Sequence, residues 1–183
     1  MGGSGSGNHW NHDTARTTVE ACLTIDANRW TREGILKAGA RDSGSWRWTW
    51  TSGRSSTIGY EARTDDTASP CVRLCYTSKR DGKEIGSEDY FVGLTTTRPN
   101  YGGLRWWFVC PLVVRGVPCE RRAAKLHLPP RARYFGCRQC HGLTYTSCQE
   151  SPKDDALCRM LARSMGTDFL SAKQAMRELA NRG

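Results

Sequence analysis

The chain has 183 residues, nine of them cysteine, and a formal net charge of +9. That length supports one ordinary domain or two small ones with a real core, and no apolar run reaches the ~20 residues a membrane helix needs. The amino terminus lacks a charged-then-apolar secretory pattern. An odd cysteine count with paired spacing fits a reducing compartment and a metal better than a disulfide framework, so a cytoplasmic protein is expected.

Residues 1–16 read as a flexible tail, opened by the linker-like Met1-Gly-Gly-Ser-Gly-Ser-Gly7. His9, Trp10 and His12 follow in no pattern that assigns them a role. From 17 to 100 the pattern predicts a helical cap and then an antiparallel sheet. Thr17-Thr-Val-Glu20 has the form of a capping box, a hydroxyl at the cap and a carboxylate three residues on. It would open a short helix with Val19, Cys22 and Leu23 on one face. Asp26 can cap a second helix to about Glu33, stopped by Gly34, with Ile35 and Leu36 packing behind it. Two such helices also admit a helix-turn-helix, although the second offers little beyond Asn28, Arg29 and Arg32 to lie in a groove. A cap on the sheet is the plainer arrangement.

From Ser45 to Thr97 the period becomes two. Trp46, Trp48 and Trp50 share one face of a first strand, and Ile58, Tyr60 and Ala62 one face of its return. Val72, Leu74 and Tyr76 mark a third strand, and Tyr90, Val92 and Leu94 a fourth. The three tryptophans suit either a core face or a base-stacking platform, and the core is the commoner use of such a stripe. Cys71 and Cys75 lie ~13 Å apart if the third segment is a strand, too far for a disulfide.

Residues 101–150 carry the chemistry. Cys110 and Cys119 have eight residues between them, and Cys137 and Cys140 have two. A tetrahedral zinc site takes four thiolates from two such pairs. Cys137-Arg-Gln-Cys140-His-Gly142 is a tight metal turn, whereas Pro111 to Pro118 reads as a loop. Between the pairs, Lys125-Leu-His-Leu128 alternates as a strand and Arg133-Tyr-Phe-Gly136 leads into the second turn, so strand, turn and strand form a zinc ribbon. Arg105-Trp-Trp-Phe-Val109 is bulky on both faces and wants cover on both, which predicts a ribbon packed on the sheet, with Gly102-Gly103 as a bend.

Several segments here resemble a family of uncharacterised bacterial and phage-borne proteins that end in a four-cysteine ribbon. They are Tyr101-Gly-Gly-Leu-Arg-Trp-Trp-Phe-Val-Cys-Pro111, Cys119-Glu-Arg-Arg-Ala-Ala-Lys-Leu-His-Leu-Pro129 and Tyr134-Phe-Gly-Cys-Arg-Gln-Cys-His-Gly-Leu-Thr-Tyr145. The likeness extends to Met1–Gly7, to Thr18–Asp26 and to Arg32-Glu-Gly34. It implies that Cys110, Cys119, Cys137 and Cys140 are zinc ligands, and it implies no reaction. The family usually has glycine where Glu120 stands, and a shorter first cysteine loop. Both departures bear on Cys119, for which Cys148 or His141 is the alternative ligand.

In the last segment, 151–183, Ser151-Pro152 starts a helix with the stripe Ala156, Leu157, Met160 and Leu161. Gly166 ends it, and Asp168 caps another with Phe169, Ala172, Met176 and Leu179. This helical hairpin can pack on the body or contact a protein partner, including a second copy, through 152–183. The expected class is thus α+β: short amino-terminal helices, an antiparallel meander, a zinc ribbon packed on it and a carboxy-terminal helical hairpin.

Charge points to the partner. Residues 101–150 hold eight Lys and Arg against two Asp and Glu, while residues 1–100 are nearly balanced. A basic metal module favours a polyanion, DNA or RNA. Arg121, Arg122, Lys125, Arg131, Arg133 and Arg138 are the expected phosphate contacts, with Trp107 and Tyr134 available to bases. A protein adaptor with a purely structural zinc ribbon is the second reading. An enzyme is not expected: a four-cysteine site is coordinatively closed, and no phosphate loop, nucleophile elbow or H-E-x-x-H run occurs.

Overall fold

The computed structural model describes residues 16–50, 53, 55–80, 83–100, 102–149 and 152–166, with 168, 171, 174 and 176. The amino-terminal tail to residue 15 and most of the turns at 51–54 and 81–82 lie outside the described residues. The two-residue alternation folds as it reads. β2 (Arg41–Thr49), β3 (Ser55–Arg63), β4 (Cys71–Arg80) and β5 (Lys83–Thr97) form an antiparallel meander. Trp46 faces Ile58, Ala62 faces Val72, and Val72 faces Val92 across the ladders. Those side chains are buried on one face, as period two requires. On the other face Arg73 bridges Glu61 and Asp89, exposed ion pairs of small worth. Cys71 and Cys75 lie on that outer face of β4 as free thiols.

The sheet curls along β5. Up to Gly93 this strand pairs with β4, and from Leu94 to Thr97 it pairs with β6 (Arg105–Val109). β6 then pairs with β9 (Arg122–Ala123), giving the order β2-β3-β4-β5-β6-β9. Gly102 and Gly103, at φ 84° and 79°, make the bend into β6 that their lack of a Cβ permits. Trp106 and Phe108 are buried on the inner face, and Trp107 and Val109 are half-buried on the outer one.

β1 (Leu23–Asp26), α1 (Ala27–Arg32) and β10 (Lys125–Leu128) cover the inner face. β1 and β10 pair antiparallel, Leu23 with Leu128 and Ile25 with Leu126. Asp26 caps α1 as its sequence predicts, its Oδ1 accepting from the Asn28 N–H at 2.9 Å. Gly34, at φ 82°, ends the turn, and Ile35 and Leu36 are buried behind it. α1 lays Trp30 into the core, with ring centroids 5.2 Å from Tyr60, 5.6 Å from Trp46 and 5.7 Å from Phe108. The tryptophan stripe of β2 is mainly core. Trp46 is buried, and Trp48 donates to the Thr24 carbonyl at 3.0 Å and stacks on Phe135, leaving only Trp50 exposed.

The expected α+β class is overturned: the chain is mostly β, with ten strands and three short α-helices among the described residues. No capping box forms at Thr17–Glu20. The Thr18 side chain caps nothing, and only a 3-10 turn forms at Val19–Ala21. Thr24 and Ile25 are β-branched and favour an extended chain, and the strand that receives them lies about a hundred residues away, beyond the reach of local pattern. With the first helix gone, the helix-turn-helix goes too. The ribbon is part of the sheet rather than a module packed on it, because β6 is hydrogen-bonded to β5.

The chain divides into two compact units, 1–143 and 144–183. In the second, α2 (Thr146–Gln149) precedes α3 (Pro152–Met165), and among the described residues no helical hairpin follows. Asp168 does accept from the Ser171 N–H at 3.1 Å, but Phe169, Ala172 and Leu179 lie outside the described residues. Cys158 and Ala162, four apart on α3, are buried, while Met160, expected on the apolar stripe, is 71% exposed. The burial of Ala156 and Leu157 lies outside the described residues. No described helix is long and apolar enough to cross a membrane.

Candidate metal centre

The register of β6 and β9 continues beyond them. Val109 faces Arg122, the Cys110 N–H donates to the Arg121 carbonyl at 2.9 Å, and the Cys119 N–H donates to Leu112 at 2.9 Å. Val113 faces Pro118 and Val114 faces Val117, in β7 (Val113–Val114) and β8 (Val117–Pro118). Arg115 and Gly116 close the ribbon at φ 53° and 80°, the paired positive angles of a type I′ turn. The eight residues between the first two cysteines are thus a β-hairpin, not an irregular loop. Its register sets Cys119 opposite Leu112 and Cys110 opposite Arg121, which brings both cysteines to the hairpin's root. The N–H groups of Leu112 and Arg121, each two residues past a cysteine, bond those two sulfurs.

The second pair sits in the predicted tight turn. An isolated bridge joins His127 to Gly136, with backbone bonds of 2.8 and 3.0 Å, and the chain then enters Cys137. The Cys140 N–H lies 3.5 Å from the Cys137 sulfur, and the Cys137 N–H lies 3.3 Å from that of Cys110. Gly142, at φ 61°, completes the turn.

These two elements bring all four sulfurs within 4.8 Å of one another. Cys110 and Cys140 are 3.9 Å apart, as are Cys119 and Cys137. Sulfurs at about 2.3 Å around a tetrahedral metal are separated by about 3.8 Å, while a disulfide needs about 2.05 Å. The four cysteines are therefore gathered closely enough to hold one metal ion. Burial pushes the Cys110 and Cys140 thiols up. Cys119 is partly buried too, but bonds from the Arg121 N–H and the neighbouring thiols carry it down. A dication among them favours all four thiolates, so metal uptake releases protons.

Neither alternative ligand joins the group. Cys148 is exposed on α2, and His141 is half-buried, its Nε2 close to the position a Cβ on Gly136 would take. His127 is buried, with Nδ1 2.9 Å from the Thr24 hydroxyl. Burial first, then Lys125, His141 and Arg138, pushes its pKa down to about 4.

The predicted phosphate contacts fare unequally. Arg121 donates to the Gln139 side chain at 2.5 Å, tying the two cysteine turns together. Lys125 lies 3.4 Å from the Asp26 carboxylate. Arg133 bonds the buried Glu88 carboxylate at 2.7 Å, and its own carbonyl accepts from the Tyr76 hydroxyl, so it anchors its segment to the sheet. Arg122, Arg131 and Arg138 are exposed. Trp107 donates to Thr97 at 2.9 Å beneath the Arg105 guanidinium, and Tyr134 stands edge-on to Tyr90 with 40% of its surface exposed.

Two residues carry backbone constraints that the sequence pattern did not assign to them. Gly136 is one, because a Cβ there would come within 2.1 Å of Leu112. Leu112, packed on that glycine, locks the first hairpin against the second turn. A glycine directly before a cysteine pair was the available signal. Glu120 is the other: it adopts φ 50°, a conformation that favours glycine.

Compared with protein-family models, curated proteins and solved structures, the chain matches none.

Proposed function

We propose that this chain is a zinc-binding, non-catalytic protein whose metal ribbon serves a basic, arginine-rich nucleic-acid-binding surface. The observation that carries the reading is the gathering of four cysteine sulfurs within 4.8 Å. An all-thiolate set selects zinc or an iron–sulfur centre over hard cations, and a tetrahedral four-thiolate shell leaves zinc no position for water or substrate. The metal's part is then structural: it ties the β7–β8 hairpin to the turn after β10.

The polyanion reading rests on charge, eight Lys and Arg against two Asp and Glu across 101–150. Four thiolates and one dication lower that excess by two units and leave it positive. Arg122 and Arg131 are the first candidates for phosphate contact, since Arg133, Lys125 and Arg121 are engaged within the fold. The adaptor reading has one specific support, the exposed Met160 on α3.

Metal analysis of the purified chain, with absorbance at 260 nm before and after a high-salt wash, tests both halves. About one zinc per chain with removable nucleic acid supports the proposal; zinc alone turns the reading to the adaptor. A salt titration then separates them, because phosphate contacts weaken steeply with ionic strength and an apolar dock does not.

A further inference from the structure

The β7–β8 hairpin projects beyond the metal centre with an apolar surface that the fold does not cover. Val113, Val114 and Val117 are 62%, 43% and 66% exposed. The cross-strand pairs Val113–Pro118 and Val114–Val117 face opposite sides of the ribbon. Both faces are therefore apolar and open to solvent. Arg115 stands at the tip, and Arg121 and Arg122 stand at the root. Among the described residues no carboxylate is paired with Arg115 or Arg122. Glu120 is the one acid between residues 104 and 149.

We infer that this hairpin is a reading head for duplex DNA that enters the major groove, an inference resting on the nucleic-acid reading above. Three observations select the occupant. A flat protein surface covers one face of a two-stranded ribbon, whereas the walls of a groove cover both. The cations at tip and root match phosphates on either side of a groove. The major groove of B-form DNA, about 12 Å wide, admits a two-stranded ribbon and displays thymine methyl groups that apolar side chains contact. The major groove of A-form RNA is too narrow and deep for this. Valines thus select thymine methyls, and Arg115 at the tip takes a phosphate or a guanine edge. The cysteine centre holds the ribbon's root, so its metal sets the angle at which the hairpin enters.

The test uses the zinc-loaded full chain and fluorescence anisotropy at fixed salt. Its probes are three duplexes of one A·T-rich sequence: DNA, the same DNA with deoxyuridine for thymidine, and RNA. Thymine DNA is expected to bind tighter than deoxyuridine DNA by about fourfold for each methyl engaged, with RNA weakest. Replacing Val113, Val114 and Val117 by serine should erase the thymine preference while metal content stays unchanged. Arg115→Asn keeps the positive-φ turn and should lower the salt slope by about one.

Equal binding to all three duplexes, or serine variants that keep the thymine preference, overturns the hairpin's role and leaves the nucleic-acid reading standing. Failure to bind any duplex or single strand overturns both.

Discussion

Two parts of this molecule are held by different physics. The meander and α1 close around Trp30, Trp46, Val72, Leu74 and Phe108, an apolar interior. The β7–β8 hairpin has no such interior, and only its root, at Cys110, Leu112 and Cys119, touches that cluster. Between Cys110 and Cys119 only short two-residue strands pair, and all six residues from Val113 to Pro118 are exposed. What fixes that region is a sulfur cluster and one leucine against one glycine. The difference predicts that the sheet forms without a metal, whereas the hairpin's placement would depend on one.

Metal removal should have the largest effect and a local one. Structural zinc contributes on the order of 10 kcal/mol in small metal modules. Chelation, or Cys137→Ser, should abolish stoichiometric metal and release hydrogen-exchange protection from 110–121 and 137–143 while leaving β2–β5 protected. Global unfolding on chelation would erase the distinction between the two regions. Trp30→Ala makes the converse cut. Truncating a fully buried aromatic costs about 3–5 kcal/mol, read as a lower denaturation midpoint of the sheet.

Gly136→Ala probes the seam between them. The added Cβ would collide with Leu112, and overpacking costs about 1–3 kcal/mol. The double variant with Leu112→Ala should recover part of that loss in thermal melts. If the single variant melts like the parent, Leu112 is not the lock.

His127 gives the pH dependence. Its folded pKa of about 4 lies below the ordinary histidine value, so its environment favours the neutral ring. Stability should be undiminished above about pH 6.5, fall as the unfolded state takes up a proton below that, and level off below about 4, a total on the order of 3 kcal/mol. The NMR titration of the His127 ring checks this; a midpoint near 6.5 contradicts its burial. Smallest is Glu120→Gly, which relieves a positive φ at some cost in unfolded-chain entropy. A midpoint raised by less than about 1 kcal/mol with unchanged metal content is expected.

The same contrast explains what could be read from sequence. The four meander strands and the Asp26 cap were legible because their signals are local, a period of two and a side chain beside its own helix. The gathering of the four cysteines was legible because the Cys137–Cys140 turn is short. β1 was not, since Thr18–Asp26 carries helix punctuation and becomes a strand only by pairing with β10. Nor was the first hairpin, where Arg115-Gly116 is a weaker turn signal than Asn-Gly. Nor was the bond from Arg133 to buried Glu88, because that partner stands 45 residues earlier.

The central claim is that one metal joins both cysteine pairs. X-ray absorption at the zinc edge of the purified chain measures this directly. The account predicts a shell of four sulfurs at about 2.3 Å, broken by Cys119→Ser as surely as by Cys140→Ser. A shell containing nitrogen or oxygen, or one that Cys119→Ser leaves intact, would contradict it.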